Sequence, residues 1–112
     1  MEVKRDLKIE EYLLIENMLK ELEEYDFNLN DLKVIDMLDG NMGSLYIVNP
    51  RKTRGERKMN KAIIEKQFYD VDDVPISVCI NIDTDENLFE LDIWRVDFNP
   101  IINFPKYPLS EV

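Results

Sequence analysis

Two periods divide this chain. From residue 9 to 25 the apolar positions recur at helical spacing: Leu14, Met18, Leu22 and Tyr25 fall near every fourth place, and Leu13, Ile15 and Leu19 widen the stripe. Glu10, Glu11, Glu16, Lys20, Glu21, Glu23 and Glu24 take the positions between. Glu10 and Glu11 stand at the end where a helix dipole favours acids. The pattern predicts an amphipathic N-terminal helix, ended by Asn28-Leu29-Asn30-Asp31.

Beyond that break the period is two. Strands are predicted over 32–38, 44–48, 61–69, 76–82 and 88–96. The clearest is the fourth, where Ile76, Val78, Ile80 and Ile82 alternate with Ser77, Cys79, Asn81 and Asp83. Asp39-Gly40-Asn41-Met42-Gly43 reads as a turn whose glycines supply positive φ. Pro75 opens the fourth strand, and the tail with Pro100, Pro105 and Pro108 reads as extended, packing through Ile101, Ile102 and Phe104. Short connections favour antiparallel neighbours. The expected fold is therefore α+β: one domain over 1–112, with the helix on one face of a five-stranded antiparallel meander. That face should carry Ile76, Val78, Ile80 and Ile82 beside Phe89, Leu91 and Ile93; Glu90, Asp92 and Trp94 should lie on the other.

A meander also sorts its turns. The Asp39 turn, the Asp70 turn and the exit at Asp97 should share one end, and the 50–60 loop and the Asp83 turn the other. The ends should stand roughly 20 Å apart at about 3.3 Å per residue, too far for Asp72 and Asp85 to hold one ion. Asp39, Asp70, Asp72, Asp73 and Asp97 would then form one acidic rim.

Composition narrows the function. A length of 112 residues with 45% apolar content suits one folded core. No apolar run approaches the roughly 20 residues of a membrane span, and no h-region follows the N-terminus. A single cysteine, Cys79, rules out an internal disulfide framework, and the cytoplasm is the expected compartment. The net charge is −10, yet residues 51–66 hold seven basic side chains against two acids. Most of the surface would repel a phosphate backbone, so neither nucleic acid nor membrane is an expected partner and a basic protein is.

Catalytic constellations are scarce. The chain has no histidine, which removes Ser-His and Cys-His chemistry and leaves zinc and other transition metals without their usual ligands. No metal, no cofactor and no catalytic residue is expected. Asp83-x-Asp85-x-Asn87 imitates the start of an EF-hand loop, but Leu88 replaces its glycine and Trp94 its closing glutamate, so a turn is the better reading. Glu90 and Asp92 lie two apart on one strand, roughly 7 Å, and form a carboxylate pair without any cleft-forming insertion. Trp94, the only tryptophan, shares their face. Two readings of it stand open: an interface anchor framed by acids, or an aromatic capped by the tail through Phe98, Ile102 or Phe104. Arg95 should face away from Trp94, or pair with Asp97.

Three segments together carry a resemblance: Leu7 to Leu19 as the helix, Asp39-Gly40-Asn41-Met42-Gly43-Ser44-Leu45, and Glu90-Leu91-Asp92-Ile93-Trp94-Arg95-Val96-Asp97-Phe98. The chain resembles a family of small bacterial proteins carried as a domain of unknown function, DUF6984, over nearly its whole length. The resemblance implies no activity and no catalytic residues. It departs at Asn41, where a second glycine is expected, and in the Asp83 turn, where a glycine is commoner.

The functional expectation is a non-enzymatic acidic binding protein, like an immunity or antitoxin protein that occludes a basic partner. Its contact residues would be Trp94, Glu90, Asp92, Asp97, Asp70, Asp72, Asp73 and Asp39. The alternatives are an inhibitor that mimics nucleic acid and an enzyme using carboxylates alone. The sequence leaves the oligomeric state open, although an exposed strand edge would allow self-association.

Overall fold

The computed structural model describes residues 3–107. Six strands form one sheet: β1 (Lys4–Asp6), β2 (Lys33–Asp36), β3 (Leu45–Ile47), β4 (Met59–Tyr69), β5 (Pro75–Asp83) and β6 (Leu88–Arg95). One helix, α1 (Ile9–Leu19), follows β1. The architecture is α+β, as expected, with two corrections to the sheet.

The first is a sixth strand. β1 is three residues long and entirely charged, so it carries no hydrophobic period, yet it pairs antiparallel with β2. The second is the order, β1-β2-β3-β6-β5-β4, which is no simple meander. β3 pairs with β6, and β4 lies at the edge. Polarity explains the exchange. β6 gives Leu88, Leu91 and Ile93 to the core and is suited to the centre, whereas β4 carries Lys61, Glu65, Lys66 and Gln67. All neighbours remain antiparallel, so the expected sorting of turns survives. The Asp39 turn, the Asp70 turn and the Asp97 exit meet at one end, with the basic loop and the Asp83 turn at the other.

The core lies between α1 and one face of the sheet. Leu14, Ile15, Met18 and Leu19 of the helix join Val34, Leu45, Ile47, Ile76, Val78, Ile80, Leu88, Leu91 and Ile93. Phe89 is not part of this cluster, contrary to the alternation read from sequence, while Ile82 is fully buried beside it. A register shift between Asn81 and Ile82 sets Ile82 opposite Leu88, so Leu88 enters the core while Phe89 packs edge-on against Tyr46. The helix stops at Leu19 rather than Tyr25, and its last turn contains no basic residue to offset the acids that follow. Ile9 and Leu13 stay exposed, so its apolar stripe is narrower than the sequence suggests. Leu22, Phe27, Leu29 and Leu32 still pack on the core, as irregular chain.

The tail crosses the same side. Ile101, Phe104 and Tyr107 pack on the core, whereas Ile102 is exposed. Gly43 makes room for them: its φ is +95°, and an added Cβ would stand 3.3 Å from Ile101 and 3.6 Å from Ile93 and Phe104. Asn41, where the resemblance led one to expect glycine, holds φ +63°. No helix among the described residues is long and apolar enough to cross a membrane.

Candidate functional site on the uncovered face of the sheet

The helix and tail occupy one face. Alternation and register define what lies on the other. Trp94 stands opposite Ser77, which stands opposite Gln67. One row further, Asp92, Cys79 and Glu65 align. The next row runs Lys4, Ile35, Tyr46, Glu90, Asn81 and Ala62 across the whole sheet.

Its β4–β6 half is acidic. Glu65 accepts the Cys79 thiol at 3.0 Å, Glu90 accepts the Asn81 amide at 3.3 Å, and the Ser44 hydroxyl lies 3.5 Å from Asp92. None of these three carboxylates has a cation among the described residues. The other strand acids do: Asp6 pairs with Lys33, Asp36 with Arg5, and Asp83 with Arg57. Burial raises the pKa of Asp92, the Ser44 hydroxyl offsets this in part, and the Asp39 charge adds to it. Burial and the neighbouring Glu65 push the Cys79 thiol up to about 12, which keeps it protonated and unreactive. Trp94 is 38% exposed; of the described tail residues, Ile101, Phe104 and Tyr107 pack on the core side while Phe98 and Ile102 are exposed.

The expected acidic rim divides. Arg95 is buried and gathers three of its members: Nη1 donates to Asp70 at 3.0 Å, Nη2 to Asp72 at 2.6 Å, and Nε to Asp97 at 2.8 Å. Burial alone would raise the Asp70 carboxyl. The backbone N–H groups of Ile102, Asn103 and Val71, with Arg95, hold it at about 2 instead. Arg95, with help from Asn99, holds Asp97 well below the usual carboxylate range. These three acids tie the tail and the β4–β5 turn together. Asp39 is also engaged, accepting the N–H groups of Met42 and Ser44. Asp73 is exposed and makes no side-chain bond among the described residues. Of the eight acidic and aromatic positions expected to meet a partner, Glu90, Asp92 and Trp94 share the open face, and Asp39 lies close enough to raise Asp92.

Sequence reading missed Glu65 and the basic half of this face. Glu65, Gln67 and Tyr69 alternate on β4, a usable signal once β4 is placed beside β5. The 49–57 loop folds over the β1–β3 half, leaving a groove of about 390 Å³ lined by Lys4, Tyr46, Pro50, Arg51, Lys52 and Arg54 among others. Arg54 stacks on the Tyr46 ring with its guanidinium 4.5 Å from the centroid. Arg57 anchors the loop. It is fully buried, donating to Asp83 at 2.9 Å, the Tyr46 hydroxyl at 3.1 Å, and the Ile47 and Leu88 carbonyls at 2.6 Å each.

A comparison with protein families agrees with the resemblance as to family. Residues 4–105 match the family model described as Domain of unknown function (DUF6984). The chain belongs to the DUF6984 family. No curated protein and no solved structure matches it. The matched span of this DUF6984 member covers all six strands, the helix, both arginine clasps and the uncovered face.

Proposed function

We propose that this DUF6984 member is a non-enzymatic binding protein of the cytoplasm that captures a basic protein on the uncovered face of its sheet, as an immunity or antitoxin protein does. One observation carries the reading: Glu65, Glu90 and Asp92 stand together beside an exposed Trp94 with no cation among the described residues, while the other strand carboxylates, Asp6, Asp36 and Asp83, each have one. A partner's lysine or arginine would supply the missing charge and relieve the half-buried Asp92. The indole offers a flat anchor for the aliphatic stem of such a side chain or for its charge. The carboxylates would set the association rate and the indole the residence time. Asp70, Asp72 and Asp97 contribute little to steering, because Arg95 already neutralises part of their charge.

The test places a photo-crosslinking amino acid at Trp94, and separately at the exposed helix residue Leu13 as a control. Probe at Trp94 should capture a discrete basic protein, and capture should vanish in the E65Q/E90Q/D92N background and in high salt. Equal capture from both positions, or capture indifferent to the three substitutions, refutes the reading.

A further inference from the structure

The uncovered face is not uniformly acidic, and its two halves differ in sign and in height. The β4–β6 half presents Glu65, Glu90 and Asp92 on bare sheet. The β1–β3 half is raised by the 49–57 loop and presents Lys4, Arg51, Lys52 and Arg54 around a shallow groove. Among the residues lining the groove the one acid, Glu56, is engaged by the Thr53 N–H at 2.9 Å and the Thr53 hydroxyl at 3.0 Å. Lys52 pairs with Asp85 and, on β1, Asp6 with Lys33, so the charge that counts here is that of Lys4 and Arg51. The boundary runs along the strands between β3 and β6, where Tyr46 stands opposite Glu90.

We propose that this face closes on a second copy of the chain through a two-fold axis lying along that boundary. The proposal rests on the reading that the face is a binding surface, and it names a regulator of that surface. A two-fold axis in the plane of contact and parallel to the strands sets the left half of one copy on the right half of the other. Each raised basic loop then meets a bare acidic strip, twice over. Glu65 on β4 of one copy then lies over β1 of its mate, the strand that carries Lys4, and Glu90 lies over the mate's Tyr46 groove, which Arg51 lines. Trp94, on a strand beside the axis, meets its own counterpart. The strands of the two sheets run aligned, as packed sheets prefer. The molecule measures 40 × 35 × 23 Å, broad enough for the roughly 800 Å² per partner of a stable contact. Two chains of net charge −10 repel at long range, but salt screens beyond about 8 Å at physiological strength and the local pairs decide the contact. The edge of β4 is a poorer route. Two register shifts bend it, and Lys61 and Lys66 stud it. A basic partner would have to displace the second copy, so the dimer holds the acidic strip in reserve.

Charge exchange tests the geometry. K4E/R51E makes the whole face acidic, and E65R/E90R makes it basic. Each variant alone should be monomeric in sedimentation velocity at concentrations where the native chain dimerises, its dissociation constant weakened at least about tenfold. Mixed one to one, the two should restore a species of twice the chain mass, because both halves are then complementary. Trp94 emission should shift to the blue in the native dimer and in the mixture, and not in either variant alone. A native chain that stays monomeric at about 0.1 mM, or a mixture that stays monomeric, overturns the proposal. Partner capture separates the two readings: K4E/R51E should keep or improve capture at Trp94, since the acidic strip is intact and unmasked. Capture without dimers leaves the proposed function standing and removes the dimer. Dimers without capture do the reverse.

Discussion

The β4–β5 and β5–β6 turns are built alike at opposite ends of the sheet. In the first, Asp70 N–H donates to Val74 O and Asp73 N–H to Asp70 O, each at 2.9 Å, and Asp73 has φ +65°. In the second, Asp83 N–H donates to Asn87 O at 2.9 Å and Glu86 N–H to Asp83 O at 3.0 Å, with Glu86 at φ +64°. Both open on an aspartate whose buried carboxylate is held by a buried arginine, Arg95 or Arg57. The difference lies in what else each arginine holds. Arg57 has one carboxylate, two carbonyls, a tyrosine hydroxyl and two aromatic faces, with its own side chain and the Asp83 carboxylate sealed from water. Arg95 has three carboxylates, two of them partly wet. One clasp is a neutral, dry knot that seats the basic loop. The other is an anionic clasp that seats the tail. Asp70, Asp72, Asp83 and Asp97 therefore serve the fold first, and the acidic surface available to a partner lies mainly on the face between the turns.

Removing the arginines should break the comparison most visibly. R57M leaves the Asp83 carboxylate buried without its counter-ion and two carbonyls without their donors. The expected loss is about 3–5 kcal/mol. R95M should cost less, about 2–3 kcal/mol, because Asp72 and Asp97 can turn to water and no longer crowd each other around one cation. Urea unfolding followed by Trp94 fluorescence measures both. The reverse order would mean that the anionic clasp, and not the dry knot, is the main staple of the fold.

Acid should discriminate the same two turns. The Asp70 carboxyl sits at about 2 in the folded chain against an ordinary 3.8. A depressed pKa contributes stability that is complete above the ordinary value and lost as pH falls toward the folded one. That span is worth about 2 kcal/mol, lost between roughly pH 4 and 2. Asp83 is lowered as well, against its burial, by the Asn87 N–H, Arg57 and the Asp85 N–H, and shifts stability in the same direction. D70N should flatten the acid limb of stability against pH. An unchanged limb would assign acid sensitivity to other carboxylates.

Much of this arrangement was legible before any coordinates. Strict alternation over Ile76 to Ile80 located β5, and the turn-end sorting survived the wrong strand order because all pairs stayed antiparallel. The order failed because sequential neighbours were assumed to pair, although β6 is the more apolar strand and β4 the more polar. β1 was invisible: Lys4, Arg5 and Asp6 have no period, and the strand exists because β2 offers an open edge and Arg5 reaches Glu11 and Asp36. In the site, Trp94, Glu90 and Asp92 followed from alternation alone. For Arg95 the sequence offers two places, the face away from Trp94 or a pair with Asp97, and the pair forms; its hold on Asp70 and Asp72 depends on the return of a turn from another strand. Arg57 looked like one more member of a basic run. Nothing in its neighbours marks it as buried, because its partners lie on three other strands.

The finest difference between the turns lies in their left-handed residues. Glycine takes this position at little cost, aspartate tolerates it through its short polar side chain, and glutamate does neither. The glycine expected in the Asp83 turn from the family resemblance fits the position where Glu86 stands at φ +64°. E86G should therefore stabilise the chain, by about 0.5–1 kcal/mol after the added freedom of the unfolded glycine is deducted. D73G should gain only a few tenths, since aspartate already accommodates its φ of +65°. Both side chains are exposed, so neither substitution removes a packing contact, and thermal melts of the two variants compare backbone strain directly. Equal gains would mean that the strain is set by the turn and not by the residue. A loss at E86G would mean that the carboxylate does work at the basic end, lowering the potential of the loop beside it.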